Sequence, residues 1–224
     1  MTAIAFLVLV GLLALAFISE SSGPQTSTGP WRATTSYPLV IDGTSGVAGQ
    51  PCIQSNGTVY CIGGQDGSGD PSSQVYSAPL TDQGIGNWTQ APNSYPTTIM
   101  FQPCVGSGGY VYCVGGIYNG DADEVAFAYY APLTSSGLGQ WRPTASYPIP
   151  VDSQACVASS GYVYCVGGEN ETAGTNATAA ATNSAWYAPI SASGIGHWNH
   201  TTAYPSGNFF PSCTLQASAT ESIE

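Results

Sequence analysis

The sequence predicts an all-β domain built from repeated units and preceded by one hydrophobic α-helix. A segment that ends in Gly-Gly carries the repeat: it reads GYVYCVGG at residues 161–168 and at residues 109–116, and GTVYCIGG at residues 57–64. The three copies start 52 residues apart. A second signal is a pair of cysteines in every repeat, and a third is an almost uniformly apolar stretch at residues 2–18.

Each copy alternates apolar and polar residues up to its Gly-Gly pair, which is typical of a β-strand that ends where the backbone turns or packs closely. The same companions follow in the same order: a Tyr-containing segment that ends in Ala-Pro-Leu or Ala-Pro-Ile, a Gly-x-Gly-x-Trp segment, and a Tyr-Pro pair. Each unit therefore predicts four short strands with Gly, Pro and Asn at the joints. A period of this length is typical of a β-propeller blade or a similar array.

The apolar stretch at residues 2–18 is rich in Leu and Ala and contains no proline, and we predict a hydrophobic helix over residues 1–20. Residues 21–30 are rich in Ser, Thr, Gly and Pro and are predicted to be a linker. The repeated β domain then covers residues 31–224. The apolar helix positions expected to pack in an assembly are Ile4, Phe6, Leu7, Leu9, Val10, Leu12, Leu13, Leu15 and Phe17.

Three roles compete for this helix. A cleaved secretory signal normally begins with basic residues, and here only Met1 precedes the apolar run, although Ala14-Leu15-Ala16 has the small residues of a cleavage site. A membrane anchor is the second role, at the short end of the length that spans a bilayer. The third is the core helix of a filament, because Met1-Thr2 followed by an unbroken apolar helix resembles mature type IV pilins. Bacterial pilins carry glutamate at the fifth position, where this chain has Ala5, so the archaeal pilins and archaellins are the better match.

The charge of the chain excludes several classes of partner. It contains no lysine, its basic side chains are Arg32 and Arg142, and thirteen acidic residues give a formal net charge of −11. Such a chain cannot neutralise a phosphate backbone, so we expect no nucleic-acid partner. Attraction to anionic lipid headgroups is equally poor. Contact with the membrane is expected only through the helix, before assembly.

Six of the seven cysteines form three pairs, nine residues apart and placed identically in each repeat. The paired residues are Cys52 and Cys61, Cys104 and Cys113, and Cys156 and Cys165. We predict a disulfide within each pair, and therefore an oxidising, extracellular environment. A metal site is the competing interpretation, but it favours Cys-x-x-Cys spacing and histidine, which these segments lack. Cys213 is left without a partner at the same spacing.

Five Asn-x-Thr sequons are candidate sites of N-glycosylation. They begin at Asn56, Asn87, Asn170, Asn176 and Asn199. Each sequon alone is a weak signal in a chain so rich in threonine, and the alternative is that only one or two are used. Five of them on an extracellular protein without lysine predict a glycosylated surface. N-linked glycans are the only non-protein groups expected, and no cofactor is predicted.

The Gly-Gly that closes the second strand, the Tyr of the third strand and the Trp of the fourth strand together resemble the kelch repeat. These residues are Gly63-Gly64, Tyr76 and Trp88; Gly115-Gly116, Tyr130 and Trp141; and Gly167-Gly168, Tyr187 and Trp198. The gap between Tyr and Trp is longer than in the common kelch form, because a Gly-x-Gly segment is inserted. That variant resembles archaeal kelch-type surface proteins, and the resemblance covers residues 31 to about 215.

The predicted blades do not close a ring. Trp31 supplies a fourth-strand equivalent with no Gly-Gly strand before it, and residues 208–213 supply a first-strand equivalent with no Gly-Gly strand after it. We therefore predict three complete blades and a partial fourth. Propellers normally have at least four blades, so two strands are missing, and a partner chain could supply them.

No arrangement typical of catalysis is visible, and we predict that the chain is not an enzyme. Copper oxidases built on kelch propellers use Tyr, Cys and His ligands, whereas this chain has only His197 and His200, which flank Trp198. The acidic residues 121–124 lack the ligand spacing of an EF-hand and are better explained as a solvated turn. Tryptophans at fixed repeat positions are expected to pack between blades rather than to bind sugars.

The sequence thus predicts the structural subunit of an extracellular, cell-surface filament of the type IV pilin-like or archaellum-like kind. The helix would form the core by self-association, and the glycosylated β domain would form a surface able to adhere to glycans or cells. The alternative is a membrane-tethered or secreted kelch adhesin that binds glycans or surface proteins.

Overall fold

The computed structural model describes residues 32–38, 40–41, 44–45, 47–66, 68–119, 123–170, 180–208 and 210–214. The chain divides into two units, Met1–Ala33 and Thr34–Glu224. The predicted helix and the predicted linker lie outside the described residues. Within the described ranges, the structure contains no helix with the length and apolar character needed to cross a membrane.

The described part of the second unit is all-β, which confirms the predicted class of that domain. Its first strands are β1 (Val40–Ile41), β2 (Thr44–Ser45), β3 (Cys52–Ser55), β4 (Thr58–Ile62), β5 (Val75–Thr81), β6 (Gly84–Ile85) and β7 (Thr89–Gln90). The next are β8 (Ile99–Met100), β9 (Cys104–Ser107), β10 (Tyr110–Val114), β11 (Ile117–Tyr118), β12 (Asp123–Glu124), β13 (Ala128–Thr134), β14 (Gly137–Leu138) and β15 (Arg142–Pro143). The last are β16 (Ala155–Ser159), β17 (Tyr162–Val166), β18 (Glu169–Asn170), β19 (Ala180–Ala181), β20 (Ala185–Ser191), β21 (Gly194–Ile195) and β22 (Asn199–His200).

Three antiparallel sheets of five strands share one topology. Sheet 1 runs β3-β4-β5-β6, sheet 2 runs β9-β10-β13-β14, and sheet 3 runs β16-β17-β20-β21. In each sheet one further strand, β7, β15 or β22, pairs with the other end of the third strand. The two short strands that pair with the third strand, one at each of its ends, together form an interrupted fourth strand. Among the described residues there is no fourth sheet of this kind and no closed propeller.

Two-residue turns set the register of the first hairpin in each sheet. The turns are Asn56-Gly57, Gly108-Gly109 and Ser160-Gly161, and both residues of each turn have positive φ. Two successive positive φ angles define a type I′ turn, whose twist matches the twist of the flanking strands. The first cysteine of each pair therefore lies directly opposite the second.

That register allows each hairpin to be closed by a disulfide. The structure forms Cys52–Cys61, Cys104–Cys113 and Cys156–Cys165, which are the pairs given by the nine-residue spacing. Cys213 is free and exposed. Three disulfides indicate an oxidising environment, such as the outside of a cell or a secreted setting.

Side chains alternate between the two faces of each sheet, so each sheet contributes to the cores on both of its sides. We call the face toward the preceding repeat the leading face and the face toward the following repeat the trailing face. The first core packs Ile53, Tyr60, Ile62 and Val75 of sheet 1 against Val111, Cys113, Ala131 and Leu138 of sheet 2. The second core packs Val105, Tyr112, Val114, Ala128 and Tyr130 of sheet 2 against Val163, Cys165, Ala188 and Ile195 of sheet 3. Each fully buried large side chain contributes about 1.5–3 kcal/mol to folding.

The Gly-Gly pair lies where the chain of one repeat passes the next. Gly115 and Gly116 have φ angles of 66° and 105°, in the region that favours glycine. A Cβ on Gly115 would lie 2.3 Å from the carbonyl oxygen of Val151, and one on Gly116 would lie 2.9 Å from that of Met100. The amide of Gly116 donates a hydrogen bond to the Val151 oxygen at 2.9 Å. The glycines thus permit a close backbone contact between neighbouring repeats.

Candidate functional site

The first strands of the three sheets meet at a common centre, where β3 contacts β9 and β9 contacts β16. Four equivalent residues line this centre: Gly49, Phe101, Ser153 and Phe210, each three positions before the first cysteine of its repeat. All four have positive φ, between 49° and 59°. Only one of them is glycine, so the other three hold a conformation that costs about 1–2 kcal/mol each.

A chain of backbone hydrogen bonds explains that conformation. Phe101 donates its N–H to the carbonyl of Gly49 at 2.7 Å, Ser153 donates to Phe101 at 2.9 Å, and Phe210 donates to Ser153 at 3.1 Å. These three hydrogen bonds link the three sheets and the segment at Phe210 around the centre. No hydrogen bond among the described residues joins Phe210 back to Gly49, so this series of hydrogen bonds does not close into a ring.

A cavity of about 320 Å³ opens at this centre. Its lining consists of Gly49, Gln50, Pro51, Phe101, Gln102, Pro103, Ser153, Gln154, Phe210 and Pro211. The Phe101 ring packs edge-on against Phe210, with ring centroids 5.7 Å apart. The described lining offers amide, hydroxyl and apolar groups, and it contains no ionisable side chain.

Three glutamines at one repeat position tie each sheet to its surroundings. Gln102 and Gln154 are buried, and their Nε2 atoms donate to the carbonyls of Ile62 and Val114 in the preceding sheet, at 3.2 and 3.1 Å. Their Oε1 atoms are buried without a hydrogen-bond partner among the described residues. No described sheet precedes Gln50, and its Nε2 donates to the hydroxyl of Tyr37 at 2.6 Å and to the carbonyl of Gly63 in its own repeat at 3.1 Å.

Each junction carries an edge-on pair of a tyrosine and a tryptophan. The pairs are Tyr37 with Trp88, Tyr95 with Trp141, and Tyr147 with Trp198, and each is edge-on with ring centroids 4.8–4.9 Å apart. In each pair the tyrosine follows one repeat and the tryptophan belongs to the next sheet. The tryptophans therefore contribute to packing between neighbouring repeats, and such pairs add about 0.5–1.5 kcal/mol beyond buried area.

A threonine hydroxyl completes the junction between sheets 2 and 3. Thr144 Oγ1 accepts the N–H of Ile195 at 2.6 Å and donates to its carbonyl at 3.0 Å, while Trp198 Nε1 donates to the carbonyl of Ala145 at 3.3 Å. Thr34 binds both backbone groups of Ile85 in sheet 1 in the same way.

The junction between sheets 1 and 2 is different because residues 91–93 read Ala-Pro-Asn and provide no threonine. Asn93 Nδ2 donates to the carbonyl of Leu138 at 3.0 Å in its place. Trp141 Nε1 is buried there without a hydrogen-bond partner among the described residues. The side chains of the middle junction thus bind one backbone group, whereas those of each neighbouring junction bind three.

Two large faces are not covered by a neighbouring sheet among the described residues. On the trailing face of sheet 3, Tyr164 is 38% exposed, whereas its equivalent Tyr112 is 2% exposed. Tyr204 is 46% exposed, whereas its equivalent Tyr147 is 3% exposed. The leading face of sheet 1 borders a cavity of about 360 Å³, lined in part by Val59, Cys61, Ile85 and Trp88. We call the space between these two faces the open sector.

The histidines and the acidic loop at Asp66 do not line this centre, whereas the buried Asp152 adjoins it, and its Oδ1 accepts a hydrogen bond from Ser153 Oγ. His200 is exposed and packs edge-on against Trp186, with ring centroids 4.8 Å apart. Asp66 Oδ1 accepts the N–H groups of Ser68 and Asp70, so it stabilises its own loop. Within the described ranges, no three His, Cys, Asp or Glu side chains are grouped as metal ligands.

The predicted glycosylation sites differ in accessibility. Asn56, Asn87 and Asn199 are exposed. Asn170 is half-buried, and its Nδ2 donates to the carbonyl of Pro150 at 2.5 Å. Asn176 and the assembly positions of the predicted helix lie outside the described residues.

Sequence reasoning missed the four residues at the centre. Their signal was a constant offset of three residues before the cysteine, together with glutamine at positions 50, 102 and 154. Neither signal predicts a left-handed backbone conformation, because the residues at that position include Phe and Ser, which rarely adopt it.

The fold and the centre define a disulfide-bonded all-β repeat protein whose sheets pack face to face. No family model matches the chain, and no curated protein sequence matches it significantly. Among solved structures, the chain is similar to the structure of YjhT, with a TM-score of 0.63 and 13% sequence identity over 83% of this chain. The chain spans 58% of the length of that structure. At this identity the similarity shows the fold alone.

Proposed function

We propose that the chain is the subunit of an extracellular filament of the type IV pilin-like or archaellum-like kind. The observation that carries the proposal is the run at residues 2–18, which has no charged side chain and no proline. A helix of this length extends about 25 Å at about 1.5 Å per residue. Its apolar surface must be buried, either in lipid or against copies of itself. A core of identical helices meets that requirement once the subunit has left the membrane.

The β domain suits the outer surface of such a filament. Its cores lie between its own sheets, and three disulfides close its hairpins. With charged residues at 7% of the chain, polar side chains and N-linked glycans would supply most of its hydration. Residues 21–30 would separate the bulky domain from the core. We further assign the three sheets to kelch-type blades, from the repeated Gly-Gly and Trp positions. The predicted tyrosine position is not shared, because Tyr76 pairs with Cys61, whereas Tyr130 and Tyr187 pair with Tyr112 and Tyr164.

The test is a single substitution in the proposed core, Leu9→Lys. A lysine in an apolar helix bundle cannot reach water, and burying its charge costs several kcal/mol in every subunit, on the order of 3 kcal/mol or more. We expect Leu9→Lys to abolish filaments in negative-stain electron microscopy. The β domain should keep its near-ultraviolet circular dichroism and its three disulfides.

The matched control is Ser21→Lys, which adds the same charge in the proposed linker and should leave filaments intact. Normal polymerisation of Leu9→Lys would contradict the filament core. A chain that stays monomeric in the membrane fraction and binds glycans or cells in both forms would instead support the tethered-adhesin alternative.

A further inference from the structure

We propose that the open sector is a docking site for a β-hairpin supplied by another polypeptide. The hairpin would add the second and third strands of a fourth sheet. This inference rests on the described β domain, and it is independent of whether the predicted helix forms a filament. Four features of the structure lead to it: the exposed trailing face of sheet 3, the cavity on the leading face of sheet 1, and an inner and an outer strand position that this chain already occupies.

The trailing face of sheet 3 has the composition of an internal face. Tyr164 and Tyr187 stack with ring centroids 6.0 Å apart and planes 19° apart, as Tyr112 and Tyr130 do at 6.2 Å and 13°. In sheet 2 this pair is covered, and the Tyr112 hydroxyl donates to the carbonyl of Ser191 in the next sheet at 2.9 Å. Sheet 3 thus keeps the aromatic side chains that bind a following sheet, although no such sheet lies among the described residues.

The outer strand position of the sector is filled by this chain. Thr34 binds the backbone of Ile85, and Tyr37 packs on Trp88, as the segment after sheet 2 does on sheet 3. The side chain of Gln50 lacks the partner that its equivalents have. Gln102 and Gln154 donate to a strand carbonyl of the preceding sheet, whereas Gln50, with no described sheet before it, donates to Tyr37 and to the carbonyl of Gly63 in its own repeat.

The inner strand position is also filled by this chain. Gly168 donates its N–H to the carbonyl of Asn208 at 2.9 Å, as Gly116 does to Val151 at the preceding junction. Cys213 then stands at the position of Cys156, but it is free and exposed. In the three complete sheets this cysteine lies directly opposite a second-strand cysteine. A hairpin between the inner and outer segments would pair with both, by main-chain hydrogen bonds.

The occupant that fits is a free hairpin rather than a second copy of this chain. The leading face of sheet 1 in a second copy already carries Tyr37 on Trp88, where Tyr204 of the first copy would have to pack. A second copy also has no free hairpin to insert, because its second strands are already paired on both edges, as β10 is paired with β9 and β13. By analogy with β10 and β13, the hairpin should present small aliphatic side chains to sheet 3 and aromatic side chains to sheet 1.

The first test uses the full chain and a fluorescent peptide of residues 109–134, which spans β10 to β13, with Cys113→Ser to prevent covalent capture. We expect saturable binding in fluorescence anisotropy. Tyr164→Glu in the full chain should weaken it at least about tenfold, because the charge would be buried without a partner. Phe127→Glu is the matched control, since Phe127 is 44% exposed beside β13 of sheet 2, outside the sector. It should bind the peptide like the unchanged chain.

Several outcomes would overturn the proposal. Equal binding of a scrambled peptide, equal loss in both variants, or no saturable binding at millimolar peptide would each do so. Concentration-dependent dimerisation of the full chain that Tyr164→Glu abolishes would assign the sector to a second copy.

The second test determines the register in which the peptide pairs with the segment at Cys213, by disulfide formation. It does not require the isolated peptide to fold. The peptide with Cys113 intact is mixed with the full chain and glutathione disulfide, which is reduced to two glutathione molecules for each disulfide that forms. The expected product joins Cys213 to Cys113 of the peptide. A peptide with Tyr112→Cys and Cys113→Ser presents its thiol on the opposite face and should react at least about tenfold more slowly. Equal rates for the two peptides would refute the strand pairing.

Discussion

At the residue scale, two glycines distinguish the cost of backbone strain from the cost of a steric clash. Gly161 has a φ of 80°, and a Cβ added there would meet nothing within 4 Å. Gly115 has a φ of 66°, but its Cβ would lie 2.3 Å from the carbonyl oxygen of Val151. Both positions disfavour alanine by strain, and only the second also requires a neighbouring repeat to move.

We therefore expect Gly161→Ala to lower the free energy of unfolding by about 1–2 kcal/mol. Gly115→Ala should lower it by about 2–5 kcal/mol, because overpacking adds to the strain. Urea denaturation followed by tryptophan fluorescence measures both values. Similar losses in the two variants would show that the Gly-Gly pair serves the turn alone and that the close contact with Val151 is unimportant.

Buried tyrosines make the fold sensitive to alkali. Burial, with the neighbouring Tyr110 and Tyr130, raises the pKa of Tyr112 from 10.0 to about 12. Burial raises the pKa of Tyr95 and Tyr147 as well. A raised pKa means that the folded state holds its phenolic proton more tightly than the unfolded state does. Stability should therefore be fully present below pH 10 and decline as the pH rises from 10 toward 12.

The variant that checks this is Tyr112→Phe. It loses the hydrogen bond to Ser191 and should be about 0.5–1.5 kcal/mol less stable at pH 7. Its stability should also fall less steeply between pH 10 and 12 than that of the unchanged chain. Urea unfolding at each pH, completed within minutes to preserve the disulfides, gives both slopes. Parallel slopes would mean that Tyr112 does not contribute to alkaline unfolding.

At the scale of the element, the type I′ hairpin and its disulfide act together. The turn places Cys104 opposite Cys113, and the bond then closes a loop of ten residues. In the chain-entropy model, closing such a loop stabilises the fold by about 2.5–3 kcal/mol. Removing both sulfurs with Cys104→Ala and Cys113→Ala should cost at least that much, because Cys113 is also fully buried.

Cys213→Ala provides the control for this loss. Cys213 is free and exposed, so its replacement should change the unfolding free energy by less than about 0.5 kcal/mol. Urea titrations of the unchanged chain, the double variant and Cys213→Ala are compared in the same buffer. An unchanged midpoint in the double variant would show that the turn alone sets the hairpin.

Much of each sheet could be predicted from local sequence. The alternation in GYVYCVGG, the nine-residue cysteine spacing and the Gly-Gly pair act within one hairpin, so one repeat contains the information. The junction at residues 91–93 could not be predicted in this way. Its Ala-Pro-Asn sequence changes the partners of Leu138 and Trp141, which lie in the next repeat.

At the scale of the whole molecule, the parts missed from sequence depend on how repeats meet. The left-handed residues at the centre are set by hydrogen bonds between repeats, which no single repeat encodes. The exposure of Tyr164 follows from its place in the last sheet, because Tyr112 has the same local sequence and is buried. The helix, the filament and the kelch-type assignment remain predictions.

Glycosylation is a property of the molecular surface, and its pattern should follow exposure. Asn56, Asn87 and Asn199 present exposed amides. The Asn170 side chain is half-buried and donates to Pro150, so a glycan there would displace neighbouring atoms. We expect the purified native chain to exceed its bare mass of 23.0 kDa, with lower glycan occupancy at Asn170 than at the three exposed sites.

Intact-mass spectrometry and glycopeptide mapping measure both quantities. Thr201→Ala removes the sequon of Asn199 without changing the asparagine, and it should lower the mass by one glycan while leaving the other sites occupied. A mass equal to 23.0 kDa would exclude glycosylation altogether. Equal occupancy at Asn170 and the exposed sites would show that glycans are attached before the β domain folds, because the folded structure shields only that one of the four described amides.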